Sequence, residues 1–445
     1  MQKLIKLFLS TTCLMTILIF IIIYLQNSEI IFKGFIKQNN NLSHNIKKYK
    51  VNCKALFNYD LKEISKAEEI LKQITLTDGN VETSSDSDFI VEKSQCENFK
   101  KARGYYRHED VDIDFPLAVT ILAHESAEQL ERILRTLYQP QNIYCIHIDK
   151  KSDKNLHNSI KSISDCFDNV FIASKTYDIV YMGHSRLKAD VQCLKDLLML
   201  DNLINVVKHP NLFGKIVVDW KYAFNYVSSE FPLMTNRKLV QILKMYNGSN
   251  EIQILRDAHE YRHINKWIED FKDYKLIKTS EKNPPIPNSY LLAKGYCSYI
   301  INKKFAEYAV FDEKALSLFK WLETTLASDE YYWSTLQFNT QIYSEHGYIR
   351  DFNYSKYSLV RYSGWYPNYK CNGKLRHGMC VFGIRDLANL ISRNEFLINK
   401  LLLNVDPIAY QCMEEWFDEK EKEKSSFNLD IYCDYIKLRS NLATC

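Results

Sequence analysis

A continuous apolar run, Phe115-Pro-Leu-Ala-Val-Thr-Ile-Leu-Ala123, most constrains the fold of this 445-residue chain. A strand without polar alternation is typical of a parallel sheet that is buried on both faces. Helical and extended patterns alternate after it: helices are predicted over 128–137 and 190–200, and strands over 142–149, 169–173 and 222–227. The sequence therefore predicts an α/β fold, a doubly wound sheet that binds its ligands at the carboxyl ends of the strands.

The N-terminal segment predicts a membrane anchor. Residues 7–25 form an uncharged apolar run of 19 residues, which is long enough to cross a bilayer. Lys3 and Lys6 precede the run, so tail 1–6 is expected in the cytosol and the rest of the chain in the lumen. A cleaved signal peptide is the alternative, but the length of the run and the missing cleavage site favour a type II signal anchor. We interpret residues 26–95 as a stem with a flexible linker over 77–88, and residues 96–445 as the lumenal domain.

The cysteines indicate an oxidising compartment. Of 12 cysteines, Cys13 lies in the apolar run. The others form no paired C-x-x-C motif, so we expect disulfides with one cysteine left over rather than a zinc site. Sequons at Asn41, Asn247 and Asn353 predict N-glycosylation and agree with a secretory location. A net charge of +4, without a Lys/Arg stripe, argues against a nucleic-acid partner.

The candidate chemistry lies in the segment Leu326-Ala-Ser-Asp-Glu-Tyr-Tyr-Trp-Ser-Thr-Leu-Gln337. Its spacing predicts a short helix with Ser328 or Asp329 at the N-terminus and an apolar inner face formed by Leu326, Tyr332, Trp333 and Leu336. Asp329 and Glu330 lie in its first turn. The helix dipole alone favours acids there, so spacing by itself favours a structural role for both.

Other motifs exclude function classes or point to a ligand. No GxGxxG or P-loop pattern occurs, which argues against dinucleotide oxidoreductases and NTPases. Two Asp-x-Asp strings, Asp86-Ser-Asp88 and Asp110-Val-Asp-Ile-Asp114, precede the first strand of the sheet, and this position predicts solvated acids rather than a metal site. His124, Asp149 and Lys151 instead follow strand ends, where a ligand is expected.

Seven blocks of the sequence, in order over roughly residues 96–416, resemble the core-2/I-branching β-1,6-N-acetylglucosaminyltransferase family. The blocks are Tyr138–Asp149, Cys166–Phe171, Ala189–Leu197, Phe231–Asn236, Ser328–Trp333, Cys380–Leu387 and Asn399-Lys400. The resemblance implies a Rossmann-like, GT-A-type glycosyltransferase domain behind a single N-terminal transmembrane helix and stem, in the Golgi membrane. It also implies inverting, metal-independent transfer of N-acetylglucosamine from UDP-GlcNAc to a galactose or N-acetylgalactosamine on O-glycans, with no cofactor.

The resemblance carries roles to particular residues. Glu330 matches the catalytic base, and Lys400 matches the lysine that binds the donor diphosphate. The family's diphosphate arginine is replaced by His377, with Arg376 one residue earlier. We prefer Arg376 because a guanidinium is always charged and an imidazole is only partly charged near neutral pH.

Further positions follow from the same resemblance. The expected donor-site residues are Leu122, Ala123, His124, Asp149, Lys150, Lys151 and Tyr181. The expected acceptor-site residues are Gln253 and Tyr362, where the chain departs most from the family pattern. The implied disulfides are Cys53–Cys412, Cys96–Cys166, Cys145–Cys193 and Cys371–Cys380. Cys297, Cys433 and Cys445 have no assigned partner, although two of them could pair.

Two alternatives remain open at the level of sequence. A related transferase could use another donor, such as UDP-xylose. A catalytically silent lumenal binding protein could retain the same scaffold, which the displaced arginine and Gln253 favour and the retained Glu330 and Lys400 oppose.

Overall fold

The computed structural model describes residues 48–106, 112–200, 215–339, 358–423 and 428–439. Its helices are α1 Cys53–Phe57, α2 Leu61–Ile74, α3 Cys96–Arg103, α4 Ala127–Leu137, α5 Lys154–Ser164, α6 His184–Met199, α7 Asn236–Tyr246, α8 Lys303–Phe311, α9 Glu313–Trp321, α10 Asp329–Asn339, α11 Leu387–Leu390, α12 Pro407–Lys422 and α13 Asp430–Lys437.

The strands are β1 Leu117–Ala123, β2 Ile143–Ile148, β3 Val170–Ile172, β4 Tyr222–Val227, β5 Glu230–Pro232, β6 Glu251–Ile252, β7 Leu255–Arg256, β8 Asn265–Asp270, β9 Lys275–Lys282, β10 Ala293–Lys294, β11 Tyr299–Asn302, β12 Arg361–Ser363, β13 Lys374–Arg376, β14 Met379–Val381 and β15 Leu397–Asn399.

The central sheet has six strands in the order β3-β2-β1-β4-β11-β6. The first four strands of that order are parallel, whereas β11 runs antiparallel to β4 and β6. Every residue of β1 is buried, and successive side chains such as Leu117 and Ala118 enter two different hydrophobic clusters. Because both faces of the sheet are covered, the predicted doubly wound α/β arrangement is confirmed.

One predicted helix boundary is wrong. The sequence predicts a helix over 190–200, but α6 begins at His184. The first residues of α6 are polar and carry no apolar periodicity, yet they are buried through specific bonds. His184 Nδ1 lies 3.2 Å from Ser328 Oγ, and Arg186 Nη1 donates to Asp329 at 2.7 Å. Tertiary contacts therefore extend this helix toward the candidate site.

The predicted stem is joined to the domain, as the implied Cys53–Cys412 bridge leads one to expect. From Cys53 onward it packs against the domain: Cys53 is disulfide-bonded to Cys412, and Ile64 of α2 is fully buried. The segment predicted as a flexible linker buries Val81, whose amide donates to the carbonyl oxygen of Asn404 at 2.7 Å. Single apolar residues within a polar run give no periodic signal, so this packing was not predictable from the pattern.

The predicted anchor over 7–25 lies outside the described residues, as do Asn41 and Asn353. In the part of the chain that the structure describes, no helix combines the length and apolar character needed to span a bilayer. The third predicted sequon residue, Asn247, is exposed at the C-terminus of α7.

All four predicted disulfides are confirmed: Cys53–Cys412, Cys96–Cys166, Cys145–Cys193 and Cys371–Cys380. Cys433 is also disulfide-bonded, and Cys297 is a free thiol. The Cys371–Cys380 bridge closes the base of the β13–β14 hairpin, which approaches the carboxyl end of the sheet.

Candidate active site

Glu330 is a partly open acid on an otherwise buried helix. Among the residues of α10, only Glu330 and Asn339 are not buried. Tyr332, Trp333 and Leu336, which the helical spacing placed on the inner face, are fully buried, and Tyr331 is buried as well. The side chain of Glu330 is 27% exposed at the N-terminal turn. The helix thus presents one carboxylate to solvent from a rigid support.

Two cations hold the Glu330 carboxylate. Arg262 Nη1 donates to Oε2 at 2.6 Å, and Lys294 Nζ lies 3.0 Å from the same oxygen. Burial opposes ionisation of Glu330, but the charges of Lys294 and Arg262 outweigh it and lower the pKa of the carboxyl. Glu330 is therefore ionised at neutral pH, as a general base must be before it accepts a proton.

The neighbouring acid has a different environment. Asp329 is 5% exposed and accepts from Arg186, which also contacts Asp190 at 3.1 Å. Burial raises the pKa of Asp329 although the charge of Arg186 opposes that shift. Asp329 is thus a buried partner of α6, whereas Glu330 faces solvent, and the structure separates the roles of two acids that are adjacent in sequence.

The predicted donor residues gather at the carboxyl ends of β1 and β2. Leu122 and Ala123 end β1, and the side chain of His124 is 42% exposed beyond it. Asp149 follows β2 and is buried; its carboxylate accepts from the Ile179 amide at 3.2 Å and pairs with Lys151. Lys150 is exposed, and its amide donates to the carbonyl oxygen of Tyr177 at 3.0 Å.

The predicted diphosphate residues lie on and next to the β13–β14 hairpin. Arg376 ends β13 and pairs with Glu125, which follows His124. His377 stacks on Tyr181 with ring centroids 4.7 Å apart. The Lys400 carbonyl accepts from the Phe382 amide at 2.9 Å, which ties Lys400 to the end of β14. Burial and then the charge of Arg376 lower the pKa of Lys400, so these two cations share one region.

Tyr181 links the two halves of the site. Its ring stacks on the imidazole of His377. Burial, and then the charge of Glu330, raise the pKa of its phenol. The next residue, Met182, accepts through its carbonyl from the Ala327 amide at 2.7 Å, just before α10. The segment between β3 and α6 therefore lies between the candidate base and the predicted diphosphate residues.

The predicted acceptor residues are packed rather than open. Gln253 is 6% exposed, and its backbone carbonyl accepts a hydrogen bond from Ser334 Oγ at 2.9 Å. The ring of Tyr362 stacks on Phe382, and the guanidinium of Arg393 lies 4.0 Å from its centroid. The contacts of Phe382 and Arg393 leave little of the Tyr362 ring free to stack on a sugar. The acceptor role of Gln253 and Tyr362 stays a prediction.

The sequence did not predict three charged side chains of the site. Arg262 and Lys294 pair with the candidate base Glu330, and Glu125 pairs with Arg376. Arg262 lies in the polar segment Asp257-Ala-His-Glu-Tyr-Arg-His263, whose composition is a weak signal. Lys294 and Glu125 carry no motif and are brought to the site only by the fold.

The structure describes the first Asp-x-Asp string and, of the second, Asp112 and Asp114. Asp86 Oδ1 accepts a hydrogen bond from the Ala127 amide at the start of α4. Asp112 pairs with Lys244 on α7. Both acids precede β1 in the sequence. Within the described ranges, no group of three or more His, Cys, Asp or Glu side chains is placed to hold a metal ion.

Comparison of the sequence with known proteins matches the chain to a family. The family model "Core-2/I-Branching enzyme" matches residues 117–391. The chain is 30% identical over 392 residues to a human protein named beta-1,3-galactosyl-O-glycosyl-glycoprotein beta-1,6-N-acetylglucosaminyltransferase 3, with 84% of each chain covered. The mouse protein of that name is 29% identical, with 84% of each chain covered. The Danio rerio beta-1,3-galactosyl-O-glycosyl-glycoprotein beta-1,6-N-acetylglucosaminyltransferase 4 is 29% identical, with 84% of this chain and 85% of the relative covered.

Proposed function

Because the chain belongs to the core-2/I-branching enzyme family, we propose that it transfers N-acetylglucosamine from UDP-GlcNAc, in β-1,6 linkage, to a galactose or N-acetylgalactosamine of an O-glycan. The chain is a glycosyltransferase. The observation that carries the finer proposal is the ionised carboxylate of Glu330, which is partly open on an otherwise buried helix. Tyr181, whose phenol feels the charge of Glu330, stacks on His377, the sequence neighbour of Arg376.

The proposed reaction is an inverting displacement. The acceptor oxygen forms a bond to the anomeric carbon while its proton passes to Glu330. The bond from that carbon to the diphosphate breaks, and its electron pair leaves with UDP. Lys400 and Arg376 stabilise the negative charge that grows on the leaving diphosphate. The proton on Glu330 then passes to solvent, which restores the base.

Metal independence is part of the proposal. A nucleotide-sugar transferase needs a fixed positive charge at the diphosphate, and this chain supplies two cationic side chains there, one on the hairpin and one after β15. His377 stands beside Arg376 at the hairpin turn and remains the second candidate for the diphosphate contact. Arg376 is preferred because its guanidinium is always charged and offers two parallel donors.

We also propose a Golgi location with the predicted anchor over 7–25 and the domain in the lumen. Four disulfides and an exposed sequon asparagine at Asn247 support an oxidising secretory compartment. Fractionation with protease protection of the C-terminal domain tests this orientation. Digestion of the domain in intact vesicles would contradict it.

The activity is tested with radiolabelled UDP-GlcNAc and the full chain, against core-1 and lactosamine acceptors, with and without EDTA. Product formation that resists EDTA supports the proposal and identifies the acceptor. Product that requires Mn²⁺ overturns the roles of Arg376 and Lys400 as sole charge partners. Product only with UDP-xylose assigns another donor, and UDP binding without any product favours a silent scaffold.

A further inference from the structure

Glu330, the base of the proposed reaction, pairs with a second cation, Lys294, which lies on a separate strand. Lys294 ends the two-residue strand β10, and its Nζ lies 3.0 Å from Glu330 Oε2. Its side chain is only 15% exposed. Arg262 reaches the same oxygen from the turn before β8. Among the described residues no hydrogen bond reaches Oε1, so Oε1 is the oxygen left for an acceptor hydroxyl.

The backbone around Lys294 is held rigidly against α10. Ala293 exchanges hydrogen bonds with Thr335 Oγ1, through its amide at 3.1 Å and its carbonyl at 3.0 Å. The Gly295 amide donates to the Glu330 carbonyl at 2.7 Å. A Cβ at Gly295 would lie 2.0 Å from the Gln253 carbonyl oxygen and 2.3 Å from Ser334 Oγ, so only glycine permits this close approach. Lys294 therefore projects from a fixed point.

The other charged and titratable groups around Glu330 are engaged or neutral. Asp329 is paired with Arg186, and the Tyr331 hydroxyl donates to Asp257 at 3.2 Å. Burial and then the charges of Arg262 and Lys294 lower the pKa of His259, which favours its neutral form. Tyr181 is a neutral phenol with a raised pKa. Arg262 and Lys294 are thus the cations that act on the carboxylate.

We propose that Lys294 is a positioning residue for the base: its ammonium holds Oε2 of Glu330 and thereby leaves Oε1 to accept the proton of the acceptor hydroxyl. The inference rests on the proposed role of Glu330. Two cations on one oxygen also favour the charged carboxylate in an acidic lumen, and they favour release of the transferred proton after each turnover. The contribution of Lys294 is therefore visible in the pH dependence of the reaction.

The test compares kcat/KM across pH for the wild type, Lys294→Gln and Lys294→Arg. Lys420→Gln is the matched control, because Lys420, in the last turn of α12, forms a surface pair at 2.9 Å with Glu423, which follows the helix. For Lys294→Gln we expect the acidic limb to move to higher pH, with kcat/KM at about pH 5 falling roughly threefold more than at about pH 7.5. Lys294→Arg retains the wild-type limb, and Lys420→Gln leaves the whole profile unchanged.

Two results would contradict the proposal, and the experiment distinguishes them. An acidic limb of Lys294→Gln that superimposes on the wild type, whether or not kcat/KM falls evenly at all pH values, overturns the positioning role. If Glu330→Gln stays active, the base assignment fails, and the inference falls with it. Thermal unfolding of each variant separates these results from misfolding, since a folded Lys294→Gln protein keeps the wild-type transition.

Discussion

Arg376 donates through Nη2 and Nη1 to the two carboxylate oxygens of Glu125, at 2.7 and 3.3 Å. The guanidinium proposed for the donor diphosphate is therefore paired with a partly exposed carboxylate of the same chain. The hydrogen bond from His124, and then the contact with Arg376, hold the pKa of Glu125 well below its ordinary value against the effect of burial. Glu125 is therefore charged, and it competes with any diphosphate that binds Arg376.

Glu125→Gln is expected to tighten UDP binding about fivefold, since a partly exposed ion pair of up to about 1 kcal/mol no longer competes. Titration calorimetry with UDP measures the change. Glu68→Gln is the control, because Glu68 forms a similar two-point pair with Arg385 in a part of the chain that we do not assign to the donor. Weaker UDP binding by Glu125→Gln would show instead that Glu125 orients Arg376 for the donor.

Glu330→Gln is expected to lower transfer at least about 100-fold, because the amide cannot accept the acceptor proton. UDP affinity should remain near the wild-type value, since the proposal assigns the diphosphate to Arg376 and Lys400 and not to Glu330. Initial rates and UDP calorimetry provide the two measurements. Glu323→Gln is the control for an acid in the preceding turn; it is 46% exposed and pairs loosely with Lys188 at 3.6 Å. Equal losses in both variants would point to a structural cause.

Lys400→Ala is expected to weaken UDP binding about tenfold or more and to slow turnover, because a charged hydrogen bond to the diphosphate is lost. The pH dependence has a definite sign. Burial and then Arg376 lower the pKa of Lys400, so its charge is lost at lower pH than for an ordinary lysine. UDP affinity should decline as pH rises through that lowered pKa. Lys400→Arg should move the decline to higher pH, and an unchanged decline would assign it to another group.

Removal of the Cys53–Cys412 bridge is expected to destabilise the protein more than removal of Cys371–Cys380. The first closes a loop with a sequence separation of 359 and the second a loop of 9. Loop-closure entropy predicts losses of about 6 and about 2.5 kcal/mol. Urea unfolding of the two double-serine variants measures both. The first variant should also expose α2 to protease, and an equal loss in the two would contradict the entropic account.

The sequence determined the elements whose signal is local. The apolar run before Ala123 predicted a buried strand, and β1 spans Leu117–Ala123; the strand predicted over 222–227 is β4 with the same bounds. Ordered motif blocks identified the family and, through it, all four disulfides now seen. They also marked Glu330, which the structure places as the open acid of α10.

Only the tertiary structure decided which charges act on these residues. Lys294 reaches Glu330 because β10 is bound to α10 through Ala293 and Gly295, and Glu125 reaches Arg376 because the β13–β14 hairpin returns to the end of β1. The early start of α6 has the same origin. Ion pairs between residues distant in sequence leave no periodic pattern, since either partner alone is an ordinary surface charge until folding brings the two together.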